Sequence, residues 1–283
     1  MNPEDNRSVY SEPSQAQVSP VKLGKFKASY MIVGESWNIL KQDRELAWFP
    51  VLSAIASLVA LMIIGAVFFF TAMGGDLASV ESYEENGVSL SGYLFVFVYY
   101  LIMFFITNYF LAGIYTIVDG RFRGQDLSFS DGIGGANRNF QKIFLWSLIS
   151  ATVGVILKII SDRSQIVGKI VAALFGAAWG ILTYFSLPSL IIGQKSVTES
   201  FKESASLIRR TWGETIIVNF GAGLFFGGVV FLGFVFYVGI MILIPSKLVF
   251  ISATILFVLF MIAISIISST LNTIFNLALY EFA

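Results

Sequence analysis

The sequence predicts an all-α polytopic membrane protein: a helical bundle of six transmembrane helices, arranged as three hairpins that are each preceded by a cytoplasmic amphipathic helix. Composition, apolar stretches and an internal repeat lead to this class. Hydrophobic residues make up 56% of the 283 residues and charged residues only 13%. A soluble domain carries about 25% charged residues, so much of this exterior needs lipid rather than water as its solvent.

The composition also weakens most enzymatic interpretations. The chain has no Cys and no His, which removes thiol nucleophiles, thiolate metal sites and the commonest general base. Lys and Arg balance Asp and Glu at 18 each, so no excess of positive charge favours nucleic acid as a partner. We therefore expect no catalytic residue, no metal site and no cofactor, and we do not expect an enzyme.

The chain divides into a short tail and one membrane domain. Residues 1–22 are polar and contain three prolines, a composition typical of a disordered cytoplasmic tail. No apolar stretch follows a basic start, so we expect no cleavable signal peptide. Residues 23–283 are expected to form a single membrane domain.

Six apolar stretches reach the length of about 20 residues that spans a hydrocarbon core. They lie near residues 48–73, 93–118, 142–161, 167–192, 215–243 and 248–279. The third is the weakest, because Lys158 must snorkel or find a partner there. The sequence does not decide whether this third stretch crosses the whole membrane. Most Lys and Arg fall in segments on one side of these stretches, which predicts that both termini are cytoplasmic. A re-entrant element made of the third and fourth stretches would give the same orientation.

Proline and glycine positions add two local predictions. Pro188 is expected to kink the fourth stretch near its cytoplasmic end, with Thr183 and Ser186 satisfying the freed backbone groups. Gly223 and Gly227 are four residues apart in the fifth stretch, which is typical of close packing between membrane helices.

A repeated pattern of apolar and small residues precedes the third, fifth and first stretches. The steps are those of one helical face, and the sets are Phe129, Ile133, Ala136, Phe140 and Ile143; Val197, Phe201, Ser204, Ile208 and Thr211; and Phe26, Tyr30, Val33, Trp37 and Leu40. This predicts repeat units near 26–118, 129–192 and 197–280, a pseudo-threefold internal repeat. Ser130 and Thr198 are expected to cap the second and third amphipathic helices, with Asp131 and Glu199 in their first turns.

Basic residues flank these amphipathic helices and suit anionic lipid headgroups or a partner protein. The candidate contacts are Lys27, Lys41, Arg138, Lys142, Lys202, Arg209 and Arg210. Alternatively, the helices are elbows that only orient the spans, since a repeated architectural element needs no ligand.

The sixth stretch carries a face of polar side chains at helical spacing. Polar groups at membrane depth face protein or water, and the candidate polar intramembrane face is Asn108, Asn219, Ser265, Ser269, Asn272 and Asn276. It predicts either hydrogen bonding between helices or a solute path. No ionisable residue is placed at mid-membrane depth, which disfavours ion coupling but leaves a passive channel open.

Two short stretches resemble a known family. The first is residues 36–41 (SWNILK), which are followed by Glu45-Leu46 and Phe49-Pro50. It resembles the N-terminal signature of an uncharacterised prokaryotic multi-pass membrane family, known only as a domain of unknown function. Residues 276–283 (NLALYEFA) are similar to the close of its last span and, more distantly, to the membrane domain of some glycerophosphodiester phosphodiesterases. The resemblance implies six spans in a prokaryotic cytoplasmic (inner) membrane and no established activity.

The functional expectation is an integral membrane protein that acts as a non-catalytic module and binds lipid or a partner membrane protein. The alternative is a small-solute permease or channel that uses the polar face of the last span.

Overall fold

The computed structural model of the protein describes residues 34, 36–72, 90–164, 166–244 and 246–282, which are helical almost throughout. A 3₁₀ turn at Arg44–Ala47 follows helical residues 36–42. The α-helices after it are α1 Trp48–Ala72, α2 Leu90–Phe122, α3 Phe129–Arg138, α4 Phe140–Asp162, α5 Val167–Leu182, α6 Ser186–Ile191, α7 Val197–Arg210, α8 Trp212–Leu243 and α9 Lys247–Phe282.

Five described helices are long and apolar enough to cross a membrane, namely α1, α2, α4, α8 and α9. The third predicted span is among them, because α4 is 23 residues long and its most apolar stretch of 18 residues has a mean hydropathy of 2.2. Lys158 finds a partner one turn later, where its Nζ lies 2.6 Å from Asp162 Oδ1. This pairing at the end of α4 confirms the expectation that the lysine snorkels or pairs.

The fourth predicted span is not one helix. After 16 residues α5 ends at Leu182, residues 183–185 form a turn, and α6 follows. Pro188 lies in the first turn of α6, where a missing N–H is tolerated. The prediction of a single kinked helix over 167–192 was wrong, because the chain breaks before the proline. Six crossings therefore stay a prediction.

The buried core lies at one end of the bundle, called here the core end. It contains the 3₁₀ turn, the second half of α2, α3, the first half of α4, α6, α7 and the last turns of α9. At the opposite or far end, large apolar side chains are exposed, among them Ile166, Phe236, Leu243 and Leu248. An exposed apolar surface of this extent suits contact with lipid.

Helix α2 is the central element, because it packs against α1, α3, α4 and α9, whereas α8 packs chiefly on α9. The contact between α2 and α3 depends on Gly135, where a Cβ would lie 2.1 Å from Thr116 Oγ1. Gly223 and Gly227 were predicted to mark helix packing. A Cβ at either would meet no described atom within 4 Å, so that prediction was wrong for the described part of the chain.

Two adjacent glycines of α3 provide a matched test of this packing. Gly135→Ala should destabilise the protein by about 1–3 kcal/mol, because the new methyl group overlaps Thr116 of α2. Gly134→Ala should be neutral or stabilising by about 0.5–1 kcal/mol, since a Cβ there meets only Arg138 Nη1, at 3.8 Å. Thermal unfolding of both variants in the same detergent checks the difference, and equal midpoints would contradict this α2–α3 packing.

Candidate functional site

The break between α5 and α6 is bridged by Asn276 of α9. In an uninterrupted helix the N–H of residue 188 would donate to the carbonyl of Tyr184, but Pro188 has no N–H. Asn276 Nδ2 donates to that carbonyl at 2.9 Å, and the Tyr115 hydroxyl of α2 donates to Asn276 Oδ1 at 2.7 Å. One buried side chain therefore joins α2, the break and α9. These groups are called the Asn276 junction.

The next backbone group in the break is satisfied by α7. The N–H of Phe185 donates to Ser204 Oγ at 2.9 Å, and both residues are fully buried. Thr183 Oγ1 bonds within α5, to the Trp179 carbonyl at 2.7 Å, and the buried hydroxyl of Ser186 has no partner among the described residues. The prediction that Thr183 and Ser186 serve the freed groups was wrong, because side chains of α7 and α9 do so.

A carboxylate network holds α7 against α6. Glu203 accepts hydrogen bonds from the Ser189 hydroxyl and from Lys195, and the Tyr280 hydroxyl donates to it at 3.5 Å. Burial alone would raise the pKa of Glu203. The hydrogen bonds from Lys195 and Ser189, together with the charge of Lys195, outweigh burial and lower this pKa below its ordinary value.

Helices α3 and α7 begin with the same capping box. The hydroxyl of Ser128 or Ser196 accepts from the N–H of Asp131 or Glu199, and the acid accepts in return from the N–H of the capping serine. Hydrogen bonds from the serine side chain and backbone lower the pKa of each acid. The acids lie in the first turn, where they were predicted. The predicted caps, Ser130 and Thr198, were wrong, because each lies two positions after the serine that caps the helix.

The predicted polar face of α9 is divided between the protein interior and its surface. Asn276 is buried in the junction, whereas Ser265, Ser269 and Asn272 are exposed. Among the described residues, the side chain of Asn272 makes one long contact within its own helix, from Nδ2 to Ser268 Oγ at 3.4 Å. Asn276, the buried residue of this face, therefore bonds to other helices of the protein. The exposed residues of the face remain available to a ligand.

The other members of the predicted polar face lie on other helices. Asn108 donates to Ser147 Oγ of α4 at 3.1 Å rather than to α9. Asn219 is part of α8, and its side chain lies outside those that the structure describes. Ser269 borders a crevice of about 180 Å³ between α1, α2 and α9, whose other hydroxyls are Ser53 and Thr107.

The basic residues predicted as headgroup or partner contacts differ in their surroundings. Lys142 Nζ donates to Gln194 Oε1 at 2.9 Å and to the Leu190 carbonyl at 3.4 Å, so it is engaged within the chain. Lys27 lies outside the described residues. The others are exposed and make no hydrogen bond or ion pair with another described residue; they are Lys41, Arg138, Lys202, Arg209 and Arg210. These five are called the exposed basic set.

A protein-family model matches most of the chain. The sequence model described as "Family of unknown function (DUF6159)" matches residues 86–283, which contain the Asn276 junction and helices α2 to α9. Residues 36–50, including the stretch that resembles a family signature, lie outside the matched range. No curated protein and no solved structure matches the chain.

The two asparagines of α9 allow a paired test of the junction. Asn276→Leu should destabilise the protein by about 1–3 kcal/mol, because it removes the acceptor of the buried Tyr115 hydroxyl and a donor to the Tyr184 carbonyl. Asn272→Leu should change stability by less than about 0.5 kcal/mol, since Asn272 is exposed. Thermal unfolding in detergent distinguishes the two, and an equal loss in both variants would refute the assigned role of Asn276.

Acid should weaken the contact between α6 and α7. Because the folded-state pKa of Glu203 lies below its ordinary value of 4.5, its contribution to stability is present above the unfolded-state pKa. This contribution is lost as the pH falls through the lower, folded-state pKa. Unfolding of the wild type and of Glu203→Gln, followed from neutral to acidic pH, should show a steeper acid loss in the wild type. Parallel curves would mean that Glu203 does not contribute to the acid dependence.

Proposed function

The chain belongs to this family of unknown function, and we propose that it is a non-catalytic integral membrane module whose core end binds anionic lipid or a partner membrane protein. The proposal rests on a difference between two groups of basic residues at that end. Lys195 and Lys142 are bound to groups of the chain, whereas the exposed basic set has no such acceptor in the part of the chain that the structure describes. Exposed cations beside apolar spans are suited to anionic headgroups.

The position of Arg209 and Arg210 supports lipid as the first ligand. They end α7, and α8 begins two residues later at Trp212. The chain thus passes from a basic end of a short helix directly into an apolar helix. Each Lys or Arg near an anionic bilayer surface contributes about 1 kcal/mol of attraction.

We also propose the finer topology. It has six crossings in three hairpins, an amphipathic helix before each hairpin, and both termini and the core end in the cytoplasm of a prokaryotic cell. The shared capping boxes of α3 and α7 support two of the three repeat units. The distribution of Lys and Arg supports the orientation. The distant similarity to the membrane domain of some glycerophosphodiester phosphodiesterases belongs to the same proposal.

The geometry around Glu203 supports a non-catalytic role. Ser189 and Glu203 form a hydroxyl–carboxylate pair, the combination that an activated nucleophile requires. Ser189 is fully buried, however, and the lowered pKa of Glu203 makes it a weak base. The pair therefore suits the joining of α6 to α7 better than chemistry on a substrate.

A small-solute permease or channel is the second candidate, supported by the crevice that Ser53, Thr107 and Ser269 share. Asn276 is engaged in the junction, so this function would depend on the exposed Ser269 and Asn272. Swelling assays on proteoliposomes with small neutral solutes should then show loss of flux in Ser269→Leu and Asn272→Leu. Equal flux in wild type and variants would eliminate this use of the polar face.

The lipid proposal is tested by charge reversal at the two ends of the bundle. Reconstitution into nanodiscs with equal amounts of phosphatidylglycerol and phosphatidylcholine, followed by native mass spectrometry, measures which lipid stays bound. Arg209→Glu with Arg210→Glu should lower the preference for phosphatidylglycerol by at least about fivefold per residue.

The matched control makes the same charge change at the far end, with Lys169→Glu and Lys247→Glu. It should lower the preference less than the Arg209/Arg210 change does, because these residues do not belong to the exposed basic set at the core end. If both double variants retained phosphatidylglycerol as the wild type does, Arg209 and Arg210 would not form a lipid site.

A further inference from the structure

A crevice with two cations lies at the core end, between residues 37–47 and α9. Its volume is about 200 Å³, and its lining consists of Trp37, Leu40, Lys41, Arg44, Ala47 and Ile267. It lies directly before α1, one of the five helices apolar enough to cross a membrane. The crevice is therefore at the level where an apolar span meets the headgroup layer, a level at which Trp is enriched.

The acids beside Arg44 are engaged elsewhere. Asp43 accepts from the guanidinium of Arg121, with a distance of 2.8 Å from Nε to Oδ2. Glu45 Oε2 accepts from the N–H of Phe129 at 2.9 Å. Both acids thus point to α2 and α3, and the charge of Arg44 is not neutralised by its neighbours in sequence.

The two cations remain available to a ligand. Arg44 is exposed and makes no hydrogen bond or ion pair with another described residue. Lys41 Nζ lies 5.5 Å from the centroid of the Trp37 ring, a cation–π contact. The crevice therefore combines an aromatic wall, an apolar floor and two positive charges without a carboxylate partner among the described residues.

We propose that this crevice binds the headgroup phosphate of one anionic phospholipid, an inference that rests on the proposed function. The guanidinium of Arg44 matches phosphate oxygens in a bidentate geometry, and the ammonium of Lys41 adds a point charge. Leu40, Ala47 and Ile267 contact the first methylene groups below the headgroup. A zwitterionic lipid binds less well, because its own cation is repelled by Lys41 and Arg44.

Two exposed tryptophans at this end allow a local test. A photoreactive benzoylphenylalanine replaces either Trp37, which lines the crevice and is 43% exposed, or Trp48, which does not line it and is 61% exposed. Both proteins are crosslinked in nanodiscs with equal phosphatidylglycerol and phosphatidylcholine, and the adducts are identified by mass spectrometry. Position 37 should yield about tenfold more phosphatidylglycerol adduct, relative to phosphatidylcholine, than position 48.

Charge variants connect this preference to the crevice. Lys41→Gln with Arg44→Gln should abolish the preference at position 37, whereas Lys41→Arg, which conserves the charge and leaves Arg44 in place, should keep it. Arg209→Glu with Arg210→Glu should leave it intact, because those residues do not line the crevice. The same Gln variants without the photoreactive group, which serve if the labelled protein misfolds, should lose one retained phosphatidylglycerol in native mass spectrometry.

The outcomes separate this inference from the proposed function. Equal lipid ratios at positions 37 and 48, or a full complement of retained phosphatidylglycerol in the Gln variants, would overturn the crevice site. If the wild type as a whole still prefers phosphatidylglycerol, the membrane module survives without this site. If the wild type shows no lipid preference at all, both the crevice and the lipid-binding proposal fail.

Discussion

The hydrogen bond from Asn276 to the Tyr184 carbonyl is the contact on which the core end depends. A break in an apolar helix exposes backbone groups that lipid cannot satisfy, at a cost of several kcal/mol for each. Asn276 of α9 and Ser204 of α7 satisfy two of them. The break is therefore stable only when both helices are docked, which ties the position of α7 to the last turns of the chain.

The two ends of the bundle differ in how closely their helices pack. At the core end, Trp146, Trp179 and Phe201 stack in one column across α4, α5 and α7, with centroid distances of 6.1 and 5.8 Å. Toward the far end, α8 packs chiefly on α9 and exposes large apolar side chains. A well-packed end thus holds the basic residues in place, and a loosely packed end offers apolar surface to lipid. This asymmetry is consistent with a binding module.

Sequence features predicted best where local composition decides the structure. Apolar length identified the five long helices, and Lys158 at the end of α4 pairs with Asp162, as its place in an apolar stretch predicted. The break at 183–185 was missed, because Pro188 is visible in the sequence but its compensating partner, Asn276, is brought close only by the fold. The capping serines were missed although Ser128 and Ser196 each precede an acid by three residues, the capping-box spacing. Arg44 was missed because only the fold shows where its acidic neighbours point.

A double-mutant cycle between Pro188 and Asn276 tests most directly whether Asn276 replaces the bond that the proline cannot make. Pro188→Ala restores the backbone N–H that donates to the Tyr184 carbonyl in an uninterrupted helix. The cost of Asn276→Leu in unfolding free energy should therefore be about 1 kcal/mol smaller in the Pro188→Ala background than in the wild type. The same cost in both backgrounds would mean that the two residues act independently, and would contradict the role of Asn276 in holding the break.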